Sequence, residues 1–135
     1  MSQASAMLDT YPMDLGGIDK RVLSACIEAC FDCSQTCTAC ADACLAEDMV
    51  SELLHCIRTD LDCADICATT GTVLSRRTGA DASVTEALLE ACRVACRVCG
   101  ADCESHASMH EHCRICAEAC RRCEAACAAL LSDMG

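Results

Sequence analysis

Proline is nearly absent from this chain: the single one, Pro12, lies near the N-terminus, and no later residue forbids a long helix. Aromatic bulk is missing too, with one Phe, one Tyr and no Trp in 135 residues. The hydrophobic fraction of 53% therefore overstates the material for an ordinary core, because cysteine and alanine supply much of it. Positive charge is scarce: 10 Lys and Arg stand against 21 Asp and Glu, a formal charge of −11. That balance argues against nucleic acid or an anionic membrane surface as a partner and fits a soluble protein that attracts cations weakly. No stretch is long and apolar enough to span a bilayer. The first residues, MSQASAMLDTYPMDLGG, lack a basic region, an apolar region and a twin-arginine pair, so no export signal is read and a cytoplasmic location is expected.

What the chain has in excess is cysteine, 18 residues of it. Cys26, Cys30, Cys33, Cys37, Cys40 and Cys44 step by four and three, as do Cys92, Cys96, Cys99 and Cys103, and Cys113, Cys116, Cys120, Cys123 and Cys127. Cys56, Cys63 and Cys67 keep the same phase, with Asp60 at an intervening position. Residues three and four apart share one face of an α-helix, and a sustained four-three rhythm is the seam that faces a bundle core. Here the seam is thiol where leucine would be ordinary.

The predicted architecture is all-α: an antiparallel up-down-up-down four-helix bundle with a cysteine-lined core. Residues 1–17 form an N-terminal tail or short helix, and 18–132 form the bundle. One helix is expected over about 18–46. A second follows the Glu47-Asp48-Met49 corner, with Asp48 as N-cap, and runs to about Arg77, with Gly79 as its C-terminal cap. Ser83-Val84-Thr85-Glu86 and Ser108-Met109-His110-Glu111 have capping-box form and are expected to open the third and fourth.

Eight pairs spaced i,i+4 (Cys26/Cys30, Cys33/Cys37, Cys40/Cys44, Cys63/Cys67, Cys92/Cys96, Cys99/Cys103, Cys116/Cys120 and Cys123/Cys127) account for all but Cys56 and Cys113. These last two lie at similar depth and are candidates to pair across the bundle. Two thiolates with β-carbons roughly 5–6 Å apart on one helical face can grip a soft ion between them, and Cu(I) accepts two or three sulfur ligands. A Cys₄ zinc site keeps two net negative charges, and stacking several in one narrow core is costly. If each thiolate bridges two Cu(I) and each Cu(I) takes two thiolates, the column binds on the order of one ion per thiol and stays neutral.

Other readings of the cysteines fare worse. A lone buried Cys is usually a small hydrophobe, but eighteen in phase carry oxidation risk without packing better than Leu. A disulfide framework belongs to oxidising compartments and loop-rich chains. Iron–sulfur ligation uses close cysteines on loops, and a redox C-x-x-C follows a strand, whereas no strand pattern exists here.

The eight Cys-x₃-Cys pairs resemble those of the bacterial copper storage proteins, over about residues 18–132, and the absence of an export signal resembles the cytosolic branch. The resemblance implies a four-helix bundle storing multiple Cu(I) ions per chain, a homotetramer of bundles and a storage or detoxification role, with a copper chaperone as a possible partner. The candidate metal ligands are the eighteen cysteines above together with His106, His110, Asp60 and Met109. The two corners at one end of the bundle would collect Met49, His55, His106, Met109, His110 and His112, a copper-competent mouth. Val22, Leu23, Leu74, Leu88, Leu89, Leu130 and Leu131 would plug the other end. His106 and His110 are expected to point inward; His55 and His112 are left open between ligand and surface roles. The alternative functions are a copper chaperone and a low-stoichiometry scavenger of soft ions such as zinc, cadmium or silver. A scaffold role lacks an apolar face. An enzyme is least favoured, since no acid–base pair is evident.

Overall fold

The computed structural model describes residues 2–135. Its order is α1 (Gln3–Asp9), α2 (Lys20–Leu45), a 3₁₀ turn (Val50–Glu52), α3 (Leu54–Leu74), α4 (Ala82–Ser105) and α5 (Glu111–Met134). Helices α2 to α5 pack each on its neighbours in sequence, and α5 closes the ring against α2. That is the expected antiparallel four-helix bundle, with α2 diagonal to α4 and α3 diagonal to α5. Helix α1 is the short extra helix, laid on α2 with Leu8 buried beneath it. Among the described residues no helix is long and apolar enough to cross a membrane.

The helix starts correct the sequence reading in three places. Asp19 caps α2, its carboxylate accepting from the backbone N–H groups of Arg21 and Val22. Helix α4 is capped by Asp81 rather than Ser83: the Asp81 carboxylate accepts from the Ser83 and Val84 N–H groups, and Ser83 falls inside the first turn. Aspartate caps as well as serine does, so the earlier of two competent residues prevailed. Asp48 caps nothing. A 3₁₀ turn intervenes, and α3 starts after Leu53, which has no side chain to cap with but is completely buried. Burial, not capping, fixes that start. Likewise α5 begins one residue after His110, whose backbone is extended (φ −134°, ψ 115°) and whose side chain makes no cap, so Ser108 does not open it.

Helix α3 ends at Leu74, short of Arg77. Gly79 is not its cap: with φ +72° it occupies the left-handed position of the turn closed by Ala80 N–H to the Arg77 carbonyl. Gly71 serves packing instead. A β-carbon there would lie 2.9 Å from the Phe31 ring, so the missing side chain lets α2 and α3 approach.

The core is graded from end to end. Leu23, Leu74, Leu89 and Leu130 are fully buried at the end where α2 starts and α5 finishes, which is the expected aliphatic plug. Val22, Leu88 and Leu131 only flank it, half-buried. From the plug to the opposite corners the interior is sulfur: all eighteen cysteines are buried and free.

Candidate metal centre

The four-three rhythm brings the thiols of four helices onto one axis, and there they touch. Cys37 Sγ lies 3.7 Å from Cys33, 3.6 Å from Cys116 and 3.7 Å from Cys120. Cys67 Sγ lies 3.7 Å from Cys63, 3.7 Å from Cys92 and 3.6 Å from Cys96. Two diagonal contacts cross the centre, Cys37 to Cys99 and Cys67 to Cys123, both at 3.9 Å. Only Cys33/Cys37 and Cys63/Cys67 of the eight i,i+4 pairs make a thiol hydrogen bond along their own helix among the described residues. The other sulfur contacts join different helices. Cys56 and Cys113 stand on diagonal helices, Cys56 beside Cys103 at 3.7 Å and Cys113 beside Cys40 at 3.9 Å.

Sulfur atoms gather in overlapping fours whose ligand atoms lie within 4.8 Å of one another. Among them are Cys30, Cys92, Cys123 and Cys127; Cys33, Cys63, Cys67 and Cys96; and Cys37, Cys99, Cys116 and Cys120. Cys33, Cys37, Cys63 and Cys120 form another that shares two members with each of the last two, so these four sulfurs each belong to more than one group. This sharing is what bridging thiolate requires. The donor set is soft throughout, matching Cu(I) and other thiophilic ions.

Burial and neighbouring thiols divide the titration. The neighbouring thiols of Cys127 and Cys30 hold Cys26 down at about 5, and the same two neighbours bring Cys123 to about 7. The thiols of Cys120 and Cys123 place Cys33 far below an ordinary thiol, while Cys37, beside Cys116 and Cys120, is driven up. Near the open end burial pushes Cys44 up to about 12. A soft cation binds thiolate, so each ion bound releases protons.

Asp60 is completely buried in this column. Its Oδ1 lies 3.0 Å from Cys99 Sγ and 3.3 Å from both Cys103 and Cys116. Burial, and then the charge on Cys99, pushes its carboxyl far above the usual range, which favours the neutral acid over the carboxylate in the column.

The mouth differs from its expected form. His110 is buried, with Nδ1 3.0 Å from Glu47 Oε2 and Nε2 buried without a hydrogen-bond partner. His112 is the better-placed ring: Nδ1 lies 3.4 Å from Cys40 Sγ and 3.6 Å from Cys113 Sγ, and Nε2 is 2.9 Å from Glu47 Oε2. With Cys40, Cys44 and Cys113 it completes a mixed group of four. Hydrogen bonds to Cys40 and Glu47 outweigh the effect of its burial and raise its pKa. His106 is half-buried at the C-cap of α4, Met109 is 62% exposed at the rim, and His55 pairs with Asp102 at 2.7 Å on the outer surface. The sequence reading named His110 as a candidate, left His112 open and did not name Glu47 as a site residue. One signal for His112 was available: a side chain in a first helical turn leans back toward the N-terminus, and so overhangs the bundle end.

Residues 19–132 match the family model described as copper storage protein. The chain belongs to the copper storage protein family. The copper storage protein Ccsp from Streptomyces lividans, solved with 10 copper equivalents, is 58% identical, with a TM-score of 0.95 over 96% of this chain and 98% of that one. The Cu(I)-bound copper storage protein BsCsp3 is 36% identical, with a TM-score of 0.71, covering 82% of this chain and 98% of its own. An uncharacterized cysteine-rich protein of Bacillus subtilis, YhjQ, is 39% identical over 103 residues, 76% of this chain and 90% of its own. As a copper storage protein, this chain has its family's signature in the sulfur column: copper is the cargo, and the buried thiols are the donors.

Proposed function

We propose that this chain is a cytoplasmic store that sequesters many Cu(I) ions per molecule, taking them in at the histidine end and holding them along the sulfur axis. The observation that carries the reading is the overlap of the sulfur groups. Cys33, Cys37, Cys63 and Cys120 each belong to more than one cluster of four, so filling one position prepares the next. A chaperone that carries one or two ions needs an exposed donor set, and these thiols are buried from one end of the column to the other. A Streptomyces lividans relative is described as a cytosolic copper storage protein and was solved with five coppers, at 60% identity and a TM-score of 0.84. That likeness supports the compartment, as does the reduced state that free thiols need.

The proposed ligands are the eighteen cysteines with His110 and His112, while Asp60 sits within the column as a neutral neighbour of three thiols. Met109 and His106 serve the rim, where a ligand exposed to water can take copper from a donor, for which a copper chaperone is the natural class. The role is storage and not catalysis. A homotetramer, the assembly the family resemblance implies, would cover the exposed Leu61, Val98 and Ile115. The test is copper content: protein isolated anaerobically from copper-fed cells carries copper in proportion to its thiols, and protein holding one ion per chain would refute storage. Light scattering of the same sample reads the assembly, with a monomer refuting the tetramer.

A further inference from the structure

The mouth contains one carboxylate that none of the copper-holding groups explains. Glu47 lies in the α2–α3 corner, and its Oε2 receives two rings at once: His110 through Nδ1 at 3.0 Å and His112 through Nε2 at 2.9 Å. The rings are stacked, with centroids 5.5 Å apart and planes 19° from parallel. An ionised carboxylate only accepts hydrogen bonds, so both ring nitrogens facing it must carry protons. The two rings therefore meet the same oxygen through opposite nitrogens. In the neutral rings the lone pair then falls on Nε2 of His110, buried and unpartnered, and on Nδ1 of His112, facing Cys40 and Cys113.

We propose that Glu47 is a positioning residue for copper uptake, fixing His110 as the Nδ1–H tautomer and His112 as the Nε2–H tautomer so that both free nitrogens are presented to an incoming Cu(I). The proposal rests on the storage reading above. Neutral imidazole exchanges its proton between its two nitrogens through water, and in the wrong tautomer His112 would turn an N–H toward the thiols instead of a lone pair. A carboxylate behind the ring removes that loss, as outer carboxylates do for metal-binding histidines in general. Because one oxygen serves both rings, the two tautomers are set together.

The test uses the reduced, metal-free full chain and two variants. Glu47→Ala removes the acceptor. Glu47→Gln keeps an amide oxygen that can accept from both rings. Long-range ¹H–¹⁵N spectra of the histidines are expected to show the Nδ1–H form for His110 and the Nε2–H form for His112 in the parent and in Glu47→Gln, and mixed tautomers in Glu47→Ala. Stopped-flow transfer from a weak Cu(I)–chelator complex should slow about tenfold or more in Glu47→Ala and stay near the parent rate in Glu47→Gln. Total Cu(I) capacity and helix content should match the parent in both. Parent tautomers or a parent uptake rate in Glu47→Ala would overturn the proposal. So would a slow rate accompanied by lost helix, which would make Glu47 a folding residue. A parent chain that binds only one or two Cu(I) would overturn storage instead, and the tautomers, read without metal, would still be decided.

Discussion

Cys37 Sγ lies 3.9 Å from Cys99 Sγ although their helices stand at opposite corners of the bundle. Side chains as short as cysteine meet across the diagonal only because nothing larger occupies the axis, and the same is true of Cys67 and Cys123. The column is therefore continuous in cross-section as well as along its length, and copper sites built on it must share donors.

Shared donors make capacity respond more than proportionally to loss of a central pair. Changing Cys33 and Cys37 to Ser breaks three of the overlapping groups of four described above, so capacity should fall by more than the two ions expected at about one per thiol. Anaerobic Cu(I) titration against a competing chelator reads this. The initial uptake rate should be nearly unchanged, since neither residue is at the mouth.

The mouth and the plug should differ kinetically. Replacing His110 and His112 with Phe removes both rings held by Glu47 and should slow uptake from a weak donor and removal by a strong chelator. Capacity should fall only by the one or two ions those rings can help hold (a count from ligand competence). Replacing the exposed His55, which pairs with Asp102 outside the column, should change neither rate.

The plug should govern stability and not capacity. Leu89 and Leu130 are fully buried, so each change to Ala should cost about 2–5 kcal/mol in denaturant unfolding, with the Cu(I) endpoint unchanged. With Asp19 and Asp81 capping α2 and α4 and thiols packing as small hydrophobes, metal-free protein should already be strongly helical by circular dichroism.

How legible this was in the sequence depends on the kind of contact. The cysteine phase, the plug residues Leu23, Leu74, Leu89 and Leu130, and the bundle topology follow from a period that repeats without a proline to interrupt it. Local competition set the helix starts: Asp81 and Ser83 are both competent caps two residues apart, and Leu53 starts α3 through burial. The Glu47 contacts with His110 and His112 span more than sixty residues between two corners, and no periodicity encodes them. The i,i+4 pairs were visible as spacing, but that most of them bond to other helices depends on rotamers and on how the helices face each other.

Asp60 gives a pH dependence with a definite sign. Its carboxyl is raised in the folded protein, first by burial, so between the ordinary carboxylate value and the raised one the folded chain holds a proton that the unfolded chain has lost. Stability therefore falls as pH rises through that window, by up to about 1.4 kcal/mol per pH unit from this group. Asp60→Asn, which resembles the protonated acid, removes that contribution. Urea unfolding of reduced, metal-free protein between pH 6 and 8 should show a shallower decline for the variant than for the parent.

The central claim is capacity, and one titration tests it most directly. Reduced protein titrated anaerobically with Cu(I) in the presence of a competing chelator should take up well over ten ions per chain (on the order of one per thiol) before the chelator begins to bind copper. An endpoint of one or two ions per chain would contradict the account.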